Sequence, residues 1–153
     1  MIIISHRGNI SGPDPEKENR PANILKTLEN FDCEIDLWYI KGHLMLGHDE
    51  PQYAIGEDFL KNKGLWIHAK NIEALNFLND TNLNYFWHQE DKATITSLGF
   101  IWCYPGTYCS NGITVETGYN TKTHNDLAES IIAGICTDYP LNYFKLLRSN
   151  QSN

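Results

Sequence analysis

The sequence predicts an α/β protein with a mostly parallel sheet. Short apolar runs of three or four residues recur along the 153-residue chain, and amphipathic segments lie between them. Runs of this length are typical of buried strands, whereas the segments between them repeat their apolar residues with a helical period. Strands that alternate with helices through short connections form parallel sheets, because each helix returns the chain to the edge where the next strand begins.

The first half of the chain is predicted to hold three strands and one helix. Pro21 fits the first turn of that helix, where no amide hydrogen is needed. Lys41 and Gly42 can make a tight turn between the second and third strands, so we expect a hairpin. The predicted segments are a strand at 2–6, a loop at 9–17, a helix with the apolar stripe Ile24, Leu25, Leu28 and Phe31, strands at 33–39 and 44–46, and a connection at 50–64 with one helical turn near Phe59.

The second half continues the alternation, which predicts a single domain of residues 1–148 and a frayed tail at 149–153. Capping residues and glycines mark the expected helix ends. The predicted segments are strands at 65–68, 85–88, 100–103, 113–115 and 135–137, a helix capped by Asn71, a helix from Asp91 to Leu98 ended by Gly99, a helix capped by Asn125 or Asp126 and ended by Gly134, and a helix at 141–147.

Composition and charge disfavour several classes of protein. Lys and Arg total 12 against 19 acidic residues, a net charge of −7, and no basic cluster stands out, so we expect neither nucleic acid nor an anionic membrane as a partner. No apolar stretch is long enough to span a bilayer, and the first residues lack the basic region of a signal peptide. None of the four cysteines forms a C-x-x-C motif, so we expect free thiols in a cytoplasmic protein.

Groups that can bind phosphate or metal lie on the first two predicted strands or directly after them. His6 and Arg7 end the first strand and offer a proton carrier and a planar phosphate-binding fork. Glu34 and Asp36 are two residues apart, so both carboxylates point to one face of a strand. Two such carboxylates repel each other unless a cation lies between them. We therefore interpret the pair as a candidate site for a hard divalent cation.

These motifs resemble the glycerophosphodiester phosphodiesterase family, within the phosphatidylinositol-phospholipase-C-like barrels. The resemblance implies metal-dependent phosphodiester cleavage on a (β/α) barrel. Because a full barrel needs about 250 residues, we predict an α/β fold that is a compact, trimmed TIM-like barrel with mostly parallel strands and missing outer helices, one of them within residues 100–124. The matching motifs, in the family's order, are His6-Arg7-Gly8, Glu18-Asn19, Glu34-Ile35-Asp36, Gly47-His48-Asp49, His68-Ala69-Lys70 and Thr137-Asp138-Tyr139-Pro140.

The resemblance also implies roles for single residues. His6 and His48 would be the acid and base, and an imidazole with an ordinary pKa of about 6.5 can serve either role at neutral pH. Arg7 and Lys70 would clamp the phosphate, since fixed cations stabilise charge on its oxygens. The motif at 137–140 is expected to be mainly structural. The remaining candidates for substrate contact are Asn19, His88 and Trp102, of which Asn19 also fits a helix cap and Trp102 also fits core packing.

The candidate metal ligands are Glu34, Asp36 and His68. His68 stands where the family has Glu, two residues before Lys70 and on the same strand face. Two carboxylates and one imidazole accept Mg²⁺, Mn²⁺, Ca²⁺ or Zn²⁺, and we expect Mg²⁺ or Mn²⁺ to be favoured. In the alternative interpretation, His68 hydrogen-bonds the substrate, and Glu90 or water completes the metal shell.

Three functions stay open at this point. The leading one is hydrolysis of a small glycerophosphodiester-like phosphodiester. The second is a lyase that makes a cyclic phosphate from a neighbouring hydroxyl, although the pair Glu34 and Asp36 favours the metal-dependent branch. The third is a binding module that kept the phosphate pocket without turnover, because the chain is short and His68 departs from the family's pattern. The number of subunits also stays open.

Overall fold

A computed structural model describes residues 2–129 and 131–150 of the chain. Within these ranges the chain forms ten strands, one 3-10 turn and four α-helices. The first elements are β1 (Ile2–His6), α1 (Pro21–Thr27), β2 (Asp32–Ile40), β3 (His43–Leu46), β4 (Tyr53–Ile55), the 3-10 turn Glu57–Lys61, β5 (Leu65–Ala69), α2 (Ile72–Asn79) and β6 (Tyr85–Trp87). They are followed by β7 (Ala93–Ile95), β8 (Ile101–Cys103), β9 (Ile113–Glu116), α3 (Thr121–Ala128), β10 (Gly134–Thr137) and α4 (Pro140–Asn150).

Seven of the strands run parallel and form a curled sheet. Their order across the sheet is β6, β5, β2, β1, β10, β9 and β8. The segment after β7 contacts the start of β6, because the Ser97 amide donates to Tyr85 O at 2.8 Å and the Tyr85 amide donates to Ser97 Oγ at 2.9 Å. The fold is therefore a trimmed TIM-like barrel with mostly parallel strands and few helices, as predicted.

Two antiparallel additions extend this sheet. The far end of β2 pairs with β3 from Leu37 to Ile40, so the hairpin predicted around Lys41 and Gly42 is confirmed. The next strand, β4, adds to β3 in an antiparallel ladder and was not predicted. The helical turn expected near Phe59 is present as the 3-10 turn. Together these elements position the segment that carries His48 beside Asp36 in the middle of β2, since the Gly47 amide donates to Asp36 O at 3.1 Å.

The alternation of side chains along each strand decides which residues reach the barrel interior. On β5, Trp66 packs into the interior cluster, whereas Leu65 and Ile67 belong to the cluster beneath α2. Two residues beyond Trp66, His68 lies on the inward face. The same alternation places His6 two residues beyond Ile4 and His88 two residues beyond Phe86, whereas β2 places Glu34 and Asp36 on this face. The interior cluster consists of Ile4, Trp66, Phe86, Trp102, Ile113, Val115 and Cys136.

Helices cover only part of the outer face. Asn71 caps α2 by accepting a hydrogen bond from the Ala74 amide at 3.1 Å, as predicted, and Leu78 of that helix is fully buried. On the opposite flank, Tyr143 and Leu147 of α4 pack against Ile135 of β10.

Residues 104–112, between β8 and β9, are a loop, so the predicted loss of a helix within residues 100–124 is confirmed. No helix among the described residues is long and apolar enough to cross a membrane.

The helix predicted from Asp91 to Leu98 is wrong. Residues Ala93–Ile95 form β7 and pair antiparallel with β8. Gly99 does not end a helix but closes this hairpin, since its φ is +86° and its amide donates to Thr96 O at 2.8 Å. The β-branched residues Thr94 and Ile95 favour a strand once a partner strand is adjacent, and the tertiary pairing decided the outcome.

The helix predicted to begin at Asn125 or Asp126 is also misplaced, because α3 lies earlier in the chain. It begins after Asn120, whose side chain accepts from the Lys122 amide at 2.9 Å, and it ends at Ala128. Gly134 does not end it but starts β10, where a Cβ atom would lie 2.6 Å from Ile2 O of β1. The first helix is shorter than predicted, so Leu28 and Phe31 lie beyond α1. Of the predicted tail, 149 and 150 belong to α4, and 151–153 lie outside the described residues.

Candidate active site

Most of the predicted site residues converge on one cleft at the carboxyl ends of the parallel strands. The cleft has a volume of about 330 Å³. A larger cavity of about 740 Å³ lies between loop 8–17, α1 and α4, but it contains none of the candidate catalytic residues. We take the smaller cleft as the site because the titratable side chains meet there. Its lining includes His6, Arg7, Glu34, His48, His68, Lys70, His88, Trp102 and Tyr104.

His6 is held by an aspartate from the neighbouring strand. Because Ser5 of β1 pairs with Thr137 of β10, the next residues, His6 and Asp138, also lie side by side. His6 Nδ1 is 2.8 Å from Asp138 Oδ1. The same oxygen accepts a hydrogen bond from Asn9 Nδ2 at 2.7 Å. Burial lowers the pKa of His6, but Asp138 and the negative charge of Glu34 together raise it above its ordinary value of 6.5.

Glu34, Asp36 and His68 form the group that can hold a metal ion. Each of them offers one ligand atom, and these atoms lie within 4.8 Å of one another. His68 Nδ1 is 3.2 Å from Asp36 Oδ1 and 3.9 Å from Glu34 Oε1. Glu34 and Asp36 are 3% and 1% exposed, so little water separates the two carboxylates. Two buried carboxylates this close to an imidazole nitrogen are typical of a cation site.

The pKa values of the two carboxylates are shifted in opposite directions. Burial raises the pKa of Glu34, and the charge of Asp36 raises it further against the opposing effect of His6. Burial also works to raise the pKa of Asp36, but His68, Arg7 and Lys70 outweigh it and hold that pKa well below its usual range. In the absence of a metal, Asp36 therefore carries the negative charge more readily than Glu34 does.

The tautomer of His68 is set by a backbone carbonyl. His68 Nε2 lies 2.8 Å from His88 O, which can only accept a hydrogen bond, so Nε2 carries the proton. In the neutral ring, Nδ1 then presents a lone pair toward Asp36 Oδ1. The lone pair on His68 Nδ1 and the Asp36 carboxylate repel each other at 3.2 Å unless a cation lies between them. That cation is either a second proton on His68 or a metal ion. Among the described residues, Asp36 Oδ1 is buried without a hydrogen-bond partner.

Asn19 lies behind this cluster and not on the cleft wall. Its side-chain amide donates to Asp36 Oδ2 at 2.8 Å, and its oxygen accepts from the Asp36 amide at 2.9 Å. Asn19 is 1% exposed and has a left-handed backbone with φ of 55°. A left-handed non-glycine residue is held by its surroundings, and this one uses both polar atoms on Asp36. Its amide pairing therefore fixes the orientation of the carboxylate.

Arg7 and Lys70 bring positive charge to the same carboxylates. Arg7 Nε is 3.3 Å from Asp36 Oδ2, and Arg7 Nη1 is 3.2 Å from Glu18 Oε2. Lys70 Nζ is 3.5 Å from Asp36 Oδ1. Burial lowers the pKa of Arg7, but the surrounding carboxylates raise it overall, so the guanidinium stays charged. Both cations line the cleft and can therefore also contact an anionic ligand.

His48 reaches the cleft from the hairpin side. The preceding Gly47 has φ of 150°, and a Cβ atom there would lie 2.0 Å from Glu50 O, so only glycine fits this turn. Trp38 Nε1 donates to Gly47 O at 2.6 Å and anchors the turn to β2. Burial lowers the pKa of His48 below 6.5; Asp36 opposes this shift, and Arg7 and Lys70 reinforce it.

The opposite wall of the cleft is aromatic. Phe86 and Trp102 stack with ring centroids 4.4 Å apart, and His88 meets Tyr104 edge-on at 5.3 Å. His88 is 8% exposed, and neither of its ring nitrogens has a hydrogen-bond partner among the described residues. Burial and the nearby His68 lower the pKa of His88, which keeps this imidazole neutral. Trp102 both lines the cleft and belongs to the interior cluster.

Sequence reasoning missed the partner of His6. Asp138 was placed in a motif expected to be mainly structural, although it is 4% exposed and touches the candidate catalytic histidine. The available signal was its position directly after the buried strand β10, in the same place that His6 has after β1. Glu90, the alternative metal ligand, is exposed and is not part of the metal-holding group found among the described residues.

Fold and site together define a trimmed, mostly parallel β/α barrel with a carboxylate–histidine cluster at the carboxyl ends of its strands. A solved structure with a similar fold is the crystal structure of glycerophosphodiester phosphodiesterase from Agrobacterium tumefaciens str. C58. The match covers 97% of this chain and 99% of that chain, with a TM-score of 0.61 and 17% sequence identity. The resemblance predicted from the motifs is therefore confirmed for the fold. No family model and no curated protein matches the chain.

Proposed function

We propose that the protein is a metal-dependent phosphoric diester hydrolase that acts on a small glycerophosphodiester-like substrate. The observation that carries the proposal is the meeting of Glu34 and His68 with three further histidines and two cations in one cleft, with the buried Asp36 beside them. Phosphodiester hydrolysis needs a group that removes a proton, a group that supplies one, and positive charge for the nonbridging oxygens. The cleft contains each of these groups.

The residues present fit a divalent cation. The buried Asp36 Oδ1 without a hydrogen-bond partner, and the His68 lone pair directed at it, are both satisfied by one ion. Histidine ligands of metals usually donate their other ring nitrogen to a carbonyl, as His68 does to His88 O. We propose Glu34, Asp36 and His68 as the ligands, with Mg²⁺ or Mn²⁺ favoured over Ca²⁺ and Zn²⁺. When bound, such an ion polarises a phosphoryl oxygen as a Lewis acid.

We assign the phosphate contacts to Arg7 and Lys70. Both side chains line the cleft and are only partly exposed, so a phosphate can replace water without leaving their charges unpaired. Arg7 is already held by Asp36 and Glu18, which fixes the plane of its guanidinium. A preorganised cation stabilises the charge that develops on the phosphoryl oxygens better than a mobile one does.

His6 and His48 divide the proton transfers. His48, whose pKa is lowered, is neutral at pH 7 and accepts a proton from the attacking water as its oxygen bonds to phosphorus. His6, whose pKa is raised, donates its proton to the alcohol oxygen as the bond from that oxygen to phosphorus breaks. Exchange with solvent then returns each imidazole to its starting state. Asp138 orients His6 and stabilises its charged form.

The remaining candidates are proposed to act around this centre. Asn19 is a positioning residue, because its amide holds Asp36 and does not face the cleft. His88 and Trp102 form the wall that would contact the alcohol part of the substrate. The unpartnered ring nitrogens of His88 offer one donor and one acceptor, which match a hydroxyl group. We also propose a cytoplasmic location, because the four cysteines are free thiols.

Phosphorus NMR on a panel of glycerophosphodiesters, with and without a chelator, tests this function. We expect a phosphomonoester to appear with added Mg²⁺ or Mn²⁺ and to stop appearing with excess chelator. A stable cyclic phosphate as the end product would instead identify a lyase. Ligand-induced chemical shift changes of the substrate without any product would identify a binding module. A double variant of His6 and His48 to Ala provides the background rate for each substrate.

A further inference from the structure

Two of the four cysteines lie near each other and flank a segment that lines the cleft. Cys103 is the last residue of β8 and is fully buried, whereas Cys109 lies in the following loop and is partly exposed. The thiol of Cys109 is near enough to raise the pKa of Cys103, and it donates a hydrogen bond to Ser110 O at 3.5 Å. The other two cysteines, Cys33 and Cys136, are fully buried on β2 and β10. The pair therefore differs from the remaining thiols in access, because one of its two thiols is partly exposed.

The course of the backbone brings Cys109 close to the end of β8, where Cys103 lies. Gly112 precedes β9, whose Ile113 pairs with Trp102 next to Cys103. A Cβ atom on Gly112 would lie 3.2 Å from Ile101 O of β8 and 3.3 Å from the Cβ atom of Cys109. The Gly112 amide also donates to Cys109 O at 3.2 Å. Cys109 is therefore folded back against the junction of β8 and β9, where Cys103 ends its strand.

Access and environment give the two thiols different roles in oxidation. The partly exposed Cys109 can be reached by a small oxidant, whereas Cys103 is shielded from solvent. Burial and the neighbouring thiol raise the pKa of Cys103 to about 11, so it reacts slowly with an oxidant in solution. Burial raises the pKa of both Cys33 and Cys136 as well, and these thiols are expected to be inert. Cys103 nevertheless lies near Cys109, whose thiol affects its pKa.

We propose that Cys103 and Cys109 form a reversible disulfide when the protein meets a peroxide. The sulfur of Cys109 attacks one oxygen of hydrogen peroxide, the O–O bond breaks, and a sulfenic acid and one water result. The sulfur of Cys103 then attacks the sulfur of Cys109, the S–O bond breaks, and a second water leaves with the proton of Cys103. The two thiols together supply the two electrons that reduce the peroxide. A dithiol reductant reverses the reaction.

This modification would act on the cleft because the ring closed by the disulfide contains two cleft residues. Tyr104 and Pro105 lie between the two cysteines and line the cleft. Their segment is already turned, since the Thr107 amide donates to Tyr104 O at 2.8 Å. A covalent link across residues 103–109 would restrict this turn and with it the ring of Tyr104, which meets His88 edge-on.

The test is oxidation of the folded full-length chain with hydrogen peroxide, followed by alkylation, denaturation and thiol counting. We expect two of the four thiols to be lost and the mass of the chain to fall by two hydrogens. The tryptic peptide 93–122 contains both Cys103 and Cys109 and neither of the others, so its mass should carry the whole change. Treatment with dithiothreitol should restore all four thiols.

Two variants make the assignment specific. Cys109→Ser, at a partly exposed position, should lose no thiols under the same treatment. Cys33→Ala, which leaves the pair intact, should still lose two. Three outcomes overturn the proposal. The first is oxygen added to Cys109 while Cys103 remains a thiol, and the second is a disulfide between two copies of the chain. The third is loss of the Cys33 and Cys136 thiols at the same rate as those of Cys103 and Cys109. None of these measurements depends on turnover.

Discussion

Replacing Asp138 by Asn removes the charge beside His6 and leaves the geometry in place. Both contacts of the Asp138 side chain, with His6 Nδ1 at 2.8 Å and with Asn9 Nδ2 at 2.7 Å, use the single oxygen Oδ1. An asparagine that keeps its oxygen at that position retains both hydrogen bonds. The substitution therefore isolates the electrostatic effect of Asp138 on His6.

The expected effect is a fall in the pKa of His6. Hydrogen bonds to charged groups contribute about 1.5–3 kcal/mol and neutral ones about 0.5–1.5 kcal/mol. The loss of the charge on Asp138 therefore weakens the stabilisation of the charged imidazole by about 1 kcal/mol. Glu34 also raises the pKa of His6 and remains in the variant, so only part of the shift is lost.

The same change alters stability in a defined pH window. The pKa of His6 is raised on folding, so its contribution to stability is complete below its ordinary pKa of 6.5 and is lost as the pH rises through the folded value. Asp138→Asn should therefore lower the free energy of unfolding by about 1 kcal/mol at pH 5.5. The variant should differ less from the wild type at pH 9, where His6 is neutral in both.

Imidazole NMR titration of the metal-free protein measures the shift directly, and urea unfolding at the two pH values measures the stability. We expect wild-type His6 to titrate above 6.5 and His48 below it. An unchanged His6 titration in Asp138→Asn would refute the role given to Asp138.

The remaining predictions concern turnover, phosphate binding and the His48 turn. His6→Ala and His48→Ala should each lower kcat by about 10²–10⁴-fold with an unchanged circular dichroism spectrum, and near-normal turnover in both would contradict their assignment. Lys70→Met should weaken inorganic phosphate binding by about tenfold, since a hydrogen bond to a charged group is worth about 1.5–3 kcal/mol; equal affinity in calorimetry would exclude the contact. Gly47→Ala should lower stability by about 1–3 kcal/mol, measured by urea unfolding, because its Cβ would lie 2.0 Å from Glu50 O.

The strand-end residues were predictable because strands alternate their faces. Once β1, β2 and β5 were recognised from their apolar runs, the inward positions of His6, Asp36 and His68 followed from a period of two. The prediction that these three positions lie close together needed no knowledge of loops. It required only that parallel strands present their carboxyl ends at the same edge of the sheet.

The parts that could not be predicted depend on contacts between distant segments. His6 and Asp138 are 132 residues apart in sequence, and only the pairing of β1 with β10 makes them neighbours. The segment 91–98 has capping residues that suit a helix, and only β8 as a partner turns Ala93–Ile95 into a strand. Asn19 was expected at the substrate, but its burial against Asp36 became visible only with the fold.

The most direct test of the central claim is a Mn²⁺ titration followed by calorimetry. We expect one site in the wild type and a loss of affinity of at least about tenfold in Glu34→Gln and His68→Ala, because even residues that only orient metal ligands are worth about 10–100-fold. Glu73→Gln, on the exposed face of α2, is the matched control. Affinity should also fall at acidic pH, because protons compete with the metal ion for its ligands. Wild-type affinity in His68→Ala, together with weakened binding in Glu90→Gln, would contradict the proposed metal site.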